Sequence, residues 1–149
     1  MPANAAIRTI QLADAGATRA LGARLAAELS AGDVLLLRGN LGAGKTCLVQ
    51  GLAAALDIAE PVTSPTFALA QHYRGPDGRA LVHLDLYRLE LPASADELFL
   101  QEREEAEALG ALMAVEWPER MSLDPPGAWT LVLEAEGEGR LARLIPPDA

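Results

Sequence analysis

Apolar positions along the chain fall into two rhythms. Positions 5–13 (AAIRTIQLA) read as a short strand, and positions 18–30 (TRALGARLAAELS) set Leu21, Leu25 and Leu29 four apart, the spacing of one helix face. Gly32-Asp33 breaks that helix. Val34 to Leu37 is a continuous apolar run, as in a strand buried on both faces of a sheet. Thr46 to Leu56 is proline-free and rich in leucine and alanine, which predicts a helix ending near Asp57. Segments 66–73 and 80–87 flank RGPDGR, whose Gly-Pro-Asp-Gly core predicts an antiparallel hairpin. Ser94 followed by Glu97 has the pattern of a capping box, opening a helix to about Ala108 in which QEREEAEA forms a solvated face. A strand at 111–116 stops at Trp117-Pro118, and WTLVLE and RLARLI form a last hairpin across AEGEG. Helices alternate with strands early and hairpins follow late. The expected fold is a three-layer α/β domain with a mixed, partly antiparallel central sheet.

Composition narrows the function. With 149 residues, half of them apolar, one domain over 1–149 is expected. Twelve basic against twenty-one acidic residues give a net charge of −9, which opposes direct, tight binding to nucleic-acid phosphates. The single cysteine, Cys47, cannot build an internal disulfide and reads as a small buried residue. Met1 to Gly16 lacks the pattern of a secretory signal, and no apolar run approaches the roughly 18 residues of a membrane helix. A cytoplasmic protein with no membrane contact is expected. Eleven of the twelve basic residues are arginine, and the one lysine is Lys45.

That lysine lies in Gly39-Asn40-Leu41-Gly42-Ala43-Gly44-Lys45-Thr46, a complete phosphate-loop (Walker A) pattern between a predicted strand and a predicted helix. Glycines let the backbone N–H groups of Asn40 to Cys47 converge on phosphate oxygens, and the helix start adds partial positive charge. Lys45 would reach the β- and γ-phosphates, and the Thr46 hydroxyl would ligate Mg²⁺. In LVHLDLYR, alternation puts His83, Asp85 and Tyr87 on one face. Asp85 ends an apolar strand, where a Walker B-type carboxylate holds magnesium; the plainer alternative is an acid capping a turn. His83 reads as a hydrogen-bonded packing residue, and Tyr87 and Arg88 as structural. Glu116 also ends an apolar strand. Two acids beside one phosphate loop divide metal binding and orientation of the attacking water between them, in an order that spacing leaves open. Trp117 is either a stacking surface near the nucleotide or a packing anchor. Ser64 and Thr66 flank Pro65 where γ-phosphate-sensing switch loops commonly lie.

Taken in order, LRGNLGAGKT, VTSPTF, HLDLYR and VEWPER resemble the TsaE (YjeE) family of small bacterial P-loop ATPases over about Gly32 to Arg120. The resemblance implies a part in making threonylcarbamoyladenosine on tRNAs that read codons beginning with A. It further implies ATP binding and hydrolysis with Mg²⁺ in company with the TsaD–TsaB pair, TsaD performing the carbamoyl transfer, and contact with tRNA only through that complex. It marks Lys45 and Thr46 in the loop, Thr66 in the switch segment, Asp85 as the metal-side acid and Glu116 as the catalytic acid with Trp117 beside it. The chain departs from the family pattern at Cys47, at Asn40, and in 97–111, which lacks a glycine after the Glu97-Leu98 pair.

Two other classes remain. A small-molecule kinase would share the loop but need a mobile lid with arginines, for which the turn carrying Arg74 and Arg79 is the only candidate. A nucleotide-dependent interaction protein without turnover would have no use for Asp85 and Glu116 together. A GTPase is disfavoured because neither asparagine, Asn4 or Asn40, precedes a lysine.

Overall fold

The computed structural model describes residues 6–40, 42–63 and 69–147. The elements run β1 (Arg8–Leu12), α1 (Ala15–Glu28), β2 (Val34–Arg38), α2 (Lys45–Ala55), β3 (Ala70–Arg74), β4 (Ala80–Asp85), α3 (Pro92–Leu109), β5 (Leu112–Glu116), β6 (Trp129–Glu136) and β7 (Gly139–Ile145). One sheet takes the strands in the order β1-β7-β6-β2-β5-β4-β3. Its centre, β6-β2-β5-β4, is parallel, while β1, β7 and β3 pair antiparallel toward the edges. The mixed sheet expected from the sequence is therefore present.

Alternation along the strands divides the apolar side chains between two layers. Leu35, Leu37, Leu81 and Ala114 pack with Leu21 and Leu25 of α1 and Leu48 and Leu52 of α2. Val34, Leu36, Val82, Leu84 and Val115 pack with Phe99 and Ala106 of α3 on the opposite face. A strand covered on both sides has no polar face, which is why β2 reads as an unbroken apolar run. Each fully buried leucine contributes about 1.5–3 kcal/mol, so β2 is a stiff platform for the loop that follows it. The two helices on one face approach closely: a Cβ on Gly51 would lie 2.1 Å from the Arg19 carbonyl oxygen, so only glycine fits there.

Several boundaries differ from expectation. Helix α1 begins at Ala15 rather than Thr18, because the Asp14 carboxylate accepts the Ala17 N–H at 2.8 Å and caps it. The Ser94–Glu97 capping box is not used: α3 starts at Pro92 after Leu91, with no side chain capping it. Proline is preorganised for a first helical position, and that preference sets the start three residues earlier. Ser94 lies inside the first turn, its N–H donating to the Leu91 carbonyl at 3.0 Å. The charged stretch 101–108 is mostly solvated, yet Glu102 turns inward and meets His72 Nε2 at 2.5 Å, tying α3 to edge strand β3. Strand β4 ends at Asp85, so Tyr87 lies beyond it. No helix among the described residues is long and apolar enough to cross a membrane.

Candidate functional site

Three parallel strands deliver the site. Because β2, β4 and β5 run the same way, their C-terminal ends lie along one edge of the sheet, and in register Leu37 faces Glu116 while Asp85 faces Glu116 from the other side. The phosphate-loop pattern follows β2 at this edge, the position where open α/β sheets bind ligands. Gly44 precedes α2 with φ 104°, a left-handed conformation that glycine adopts without a Cβ clash. No side chain caps α2. The first N–H groups of a helix have no partner within it, so those at the start of α2 are available to an anion. Ala43 N–H closes the loop onto the Asn40 carbonyl at 3.0 Å.

Lys45 is buried beneath that loop. Its Nζ donates to the Gly39 carbonyl oxygen at 2.6 Å and lies 3.7 Å above the centre of the Trp117 ring. Burial pushes its ammonium below the usual lysine range, against the upward pull of Glu116, Glu119 and Asp85. A desolvated ammonium facing a ring and a carbonyl is poised to exchange them for phosphate oxygens.

The carboxylates converge from the other two strands. Glu116 is buried, with its Oε2 at 2.6 Å from His83 Nε2 and 3.5 Å from the Thr46 hydroxyl. Asp85 is buried too, and its Oδ1 accepts the Tyr87 N–H at 3.0 Å, the turn-capping contact that was the plainer reading of this acid. The parallel pairing of β4 with β5 sets this residue beside Glu116. Thr46, Asp85 and Glu116 offer a hydroxyl and two carboxylates, hard oxygen donors that suit Mg²⁺ rather than a softer metal. Among the described residues no three His, Cys, Asp or Glu side chains form a metal cage by themselves.

Trp117 carries backbone strain at the mouth of the site. Its φ of 58° and ψ of 49° are left-handed, which costs a bulky residue about 1–2 kcal/mol. The strained turn sets the indole over Lys45, with the Tyr87 ring 4.9 Å away and the Arg120 guanidinium 5.5 Å from the Tyr87 ring centre. Trp117 thus packs against Tyr87, as the packing reading has it, and turns its ring to Lys45. Cys47 is half-buried rather than buried; its thiol donates to the Ala15 carbonyl at 3.3 Å and accepts from Arg19 at 3.4 Å. Leu41, Ser64 and Thr66 lie outside the described residues.

Arg140 was not expected from the sequence. At the start of β7 its Nε donates to the Ala43 carbonyl at 3.1 Å and its Nη2 to the Gly42 carbonyl at 2.9 Å. A guanidinium fork on two consecutive loop carbonyls holds the Gly42–Ala43 and Ala43–Gly44 peptides in place. The only sequence signal was an arginine just past the Gly137-Glu138 turn, and linear spacing cannot reveal a contact with a loop 97 residues earlier. Two clefts flank the loop here. One of about 640 Å³ runs between Asn40, Gly42 and β6, and one of about 240 Å³ lies between Gly44, Cys47 and the start of α1. Arg140 borders both. Replacing Arg140 with alanine is expected to weaken ADP affinity about tenfold, the loss of roughly 1.4 kcal/mol of loop support, with little change in melting temperature. Calorimetric titration together with a thermal melt checks this; unchanged affinity would show that the loop holds its shape unaided.

Comparison with known proteins gives a consistent result. A family model described as threonylcarbamoyl adenosine biosynthesis protein TsaE matches residues 12–143. The chain is 46% identical over 140 residues to the tRNA threonylcarbamoyladenosine biosynthesis protein TsaE of Nostoc sp., spanning 92% of this chain and 85% of that one. It is 45% identical over 113 residues to the protein of the same description from Mycobacterium tuberculosis, spanning 70% of this chain and 65% of the relative. Among solved structures, Bacillus subtilis YdiB matches with a TM-score of 0.74 at 28% identity, covering 95% of this chain and 86% of that one.

Proposed function

The chain belongs to the TsaE family of threonylcarbamoyl adenosine biosynthesis proteins, and from that premise we propose that it is the Mg²⁺-dependent ATPase of tRNA threonylcarbamoyladenosine formation, working with TsaD and TsaB in the cytoplasm. One observation carries the reading: Lys45, Thr46, Asp85 and Glu116, from three separate segments, meet at the mouth of one phosphate loop.

In this proposal the amides of residues 42–47 hold the phosphates of ATP or ADP, and the nucleoside occupies one of the two flanking clefts. Lys45 leaves the Gly39 carbonyl for the β- and γ-phosphates. The Thr46 hydroxyl and Asp85 would hold magnesium, which neutralises charge building on the phosphate oxygens. Glu116 orients the attacking water and accepts its proton. Trp117 shields the Lys45 contact from solvent, which strengthens it electrostatically. Ser64 and Thr66 would sense the γ-phosphate, and hydrolysis would reset the partner complex. The acidic balance of the chain suits contact with proteins, so tRNA is reached through TsaD and TsaB rather than directly.

A kinase reading finds no support in the arginine turn. The Gly75–Arg79 turn precedes β4 and so lies at the end of the sheet away from Asp85, with Arg79 held by Asp57 at 3.2 Å. Magnesium dependence is the direct test. Removing Mg²⁺ with a chelator is expected to lower ATP turnover at least about 100-fold while ADP affinity changes by less than about tenfold. Turnover that persists in chelator would overturn the assignment of Thr46 and Asp85.

A further inference from the structure

Among the described residues His83 is the most deeply buried ionisable side chain, with no solvent exposure, and its one polar contact there is Nε2 with Glu116 Oε2 at 2.6 Å. Its Nδ1 has no hydrogen-bond partner among the described residues. On β4 it lies two residues before Asp85 and opposite Ala114 of β5, which places it diagonally beneath Glu116 on the face that α2 covers. An imidazole in an apolar layer is costly unless bonded, and here a single bond offsets that cost. A carboxylate only accepts, so in this bond Nε2 is the donor.

We propose that His83 is a positioning residue that holds the Glu116 carboxylate in its water-activating orientation. Both of the bonds to Glu116, from His83 and from Thr46, fall on Oε2, while Oε1 takes none among the described residues. Oε2 is therefore the anchored oxygen and Oε1 the one free to accept a proton. Lys45 attracts Glu116 from the same site. Without the imidazole the carboxylate is free to rotate onto that ammonium, and the pair would quench both the water-orienting and the phosphate-binding group. A donor pulling from below keeps them apart.

This inference rests on the ATPase reading above, and the test separates the two. His83→Leu and His83→Gln are made in the native chain and in a Glu116→Gln background, with TsaD and TsaB present. ADP affinity, melting temperature and single-turnover hydrolysis are measured. His83→Leu is expected to slow hydrolysis about 10- to 100-fold, the range lost when a partner orienting a functional ligand is removed, with ADP affinity within about threefold. His83→Gln, whose amide N–H can reach Oε2, should recover most of that loss. In the Glu116→Gln background, His83→Leu should slow hydrolysis by less than about threefold further, because the group it positions is already disabled. Native turnover in folded His83→Leu, or an equal loss in both backgrounds, would overturn the proposal. Should His83→Leu fail to fold, His83→Gln decides: a folded variant slowed more than about tenfold contradicts the hydrogen-bond role. Full turnover in Glu116→Gln with His83 intact would instead defeat the assignment of Glu116 as the water-activating acid, and absence of ATP turnover in the native chain with TsaD and TsaB would defeat the ATPase reading on which the inference stands.

Discussion

Glu116→Gln is expected to lower ATP turnover by about 100- to 1000-fold and to leave ATP affinity within a few-fold. The size follows from general-base catalysis, to which a positioned acceptor contributes about 10²–10⁴. The substitution is nearly isosteric, and the amide oxygen can still accept from His83 Nε2 and Thr46, so the packing beneath α2 is kept. What disappears is the capacity to take a proton from water. An effect on turnover alone marks an interaction made only in the transition state. Parallel losses of affinity and turnover would instead mean that Glu116 chiefly supports the loop. Steady-state hydrolysis and calorimetric titration with ATP distinguish these results.

Lys45→Ala is expected to act the other way, weakening ATP binding about 150-fold, or roughly 3 kcal/mol, the value of one or two charge-assisted hydrogen bonds to phosphate. The ammonium is already stripped of much of its water by burial, against the Trp117 ring and the Gly39 carbonyl. Binding ATP therefore exchanges one desolvated arrangement for another with a stronger acceptor. Lys45→Arg should not rescue, since a planar fork does not fit the space between carbonyl and indole. Fluorescence titration with a labelled, non-hydrolysable ATP analogue checks both variants, and native affinity in either would remove Lys45 from the phosphate site.

Much of this architecture could be read along the chain because local chemistry specified it. The apolar run of β2, the glycines after it and the leucine-alanine helix α2 agree on a strand–loop–helix unit, and Asp85 and Glu116 stand at strand ends as their apolar runs require. What escaped were contacts between distant segments. Arg140 clasps Gly42 and Ala43 from a strand 97 residues away, and His83 finds Glu116 only because β4 and β5 pair in parallel. Neither partner shows in spacing. At α3 the error was local, since two start signals competed and Pro92 prevailed over the Ser94–Glu97 pair. Glu102 looked solvated within its charged run until β3 brought His72 alongside.

The most direct measurement is steady-state ATP hydrolysis by the chain alone and with purified TsaD and TsaB, with Glu116→Gln as control. Slow turnover alone, a marked rise with the partners, and loss of that rise in the variant are expected. If the partners leave turnover unchanged, or Glu116→Gln keeps the rise, the chain is not the ATPase of that complex by the route described.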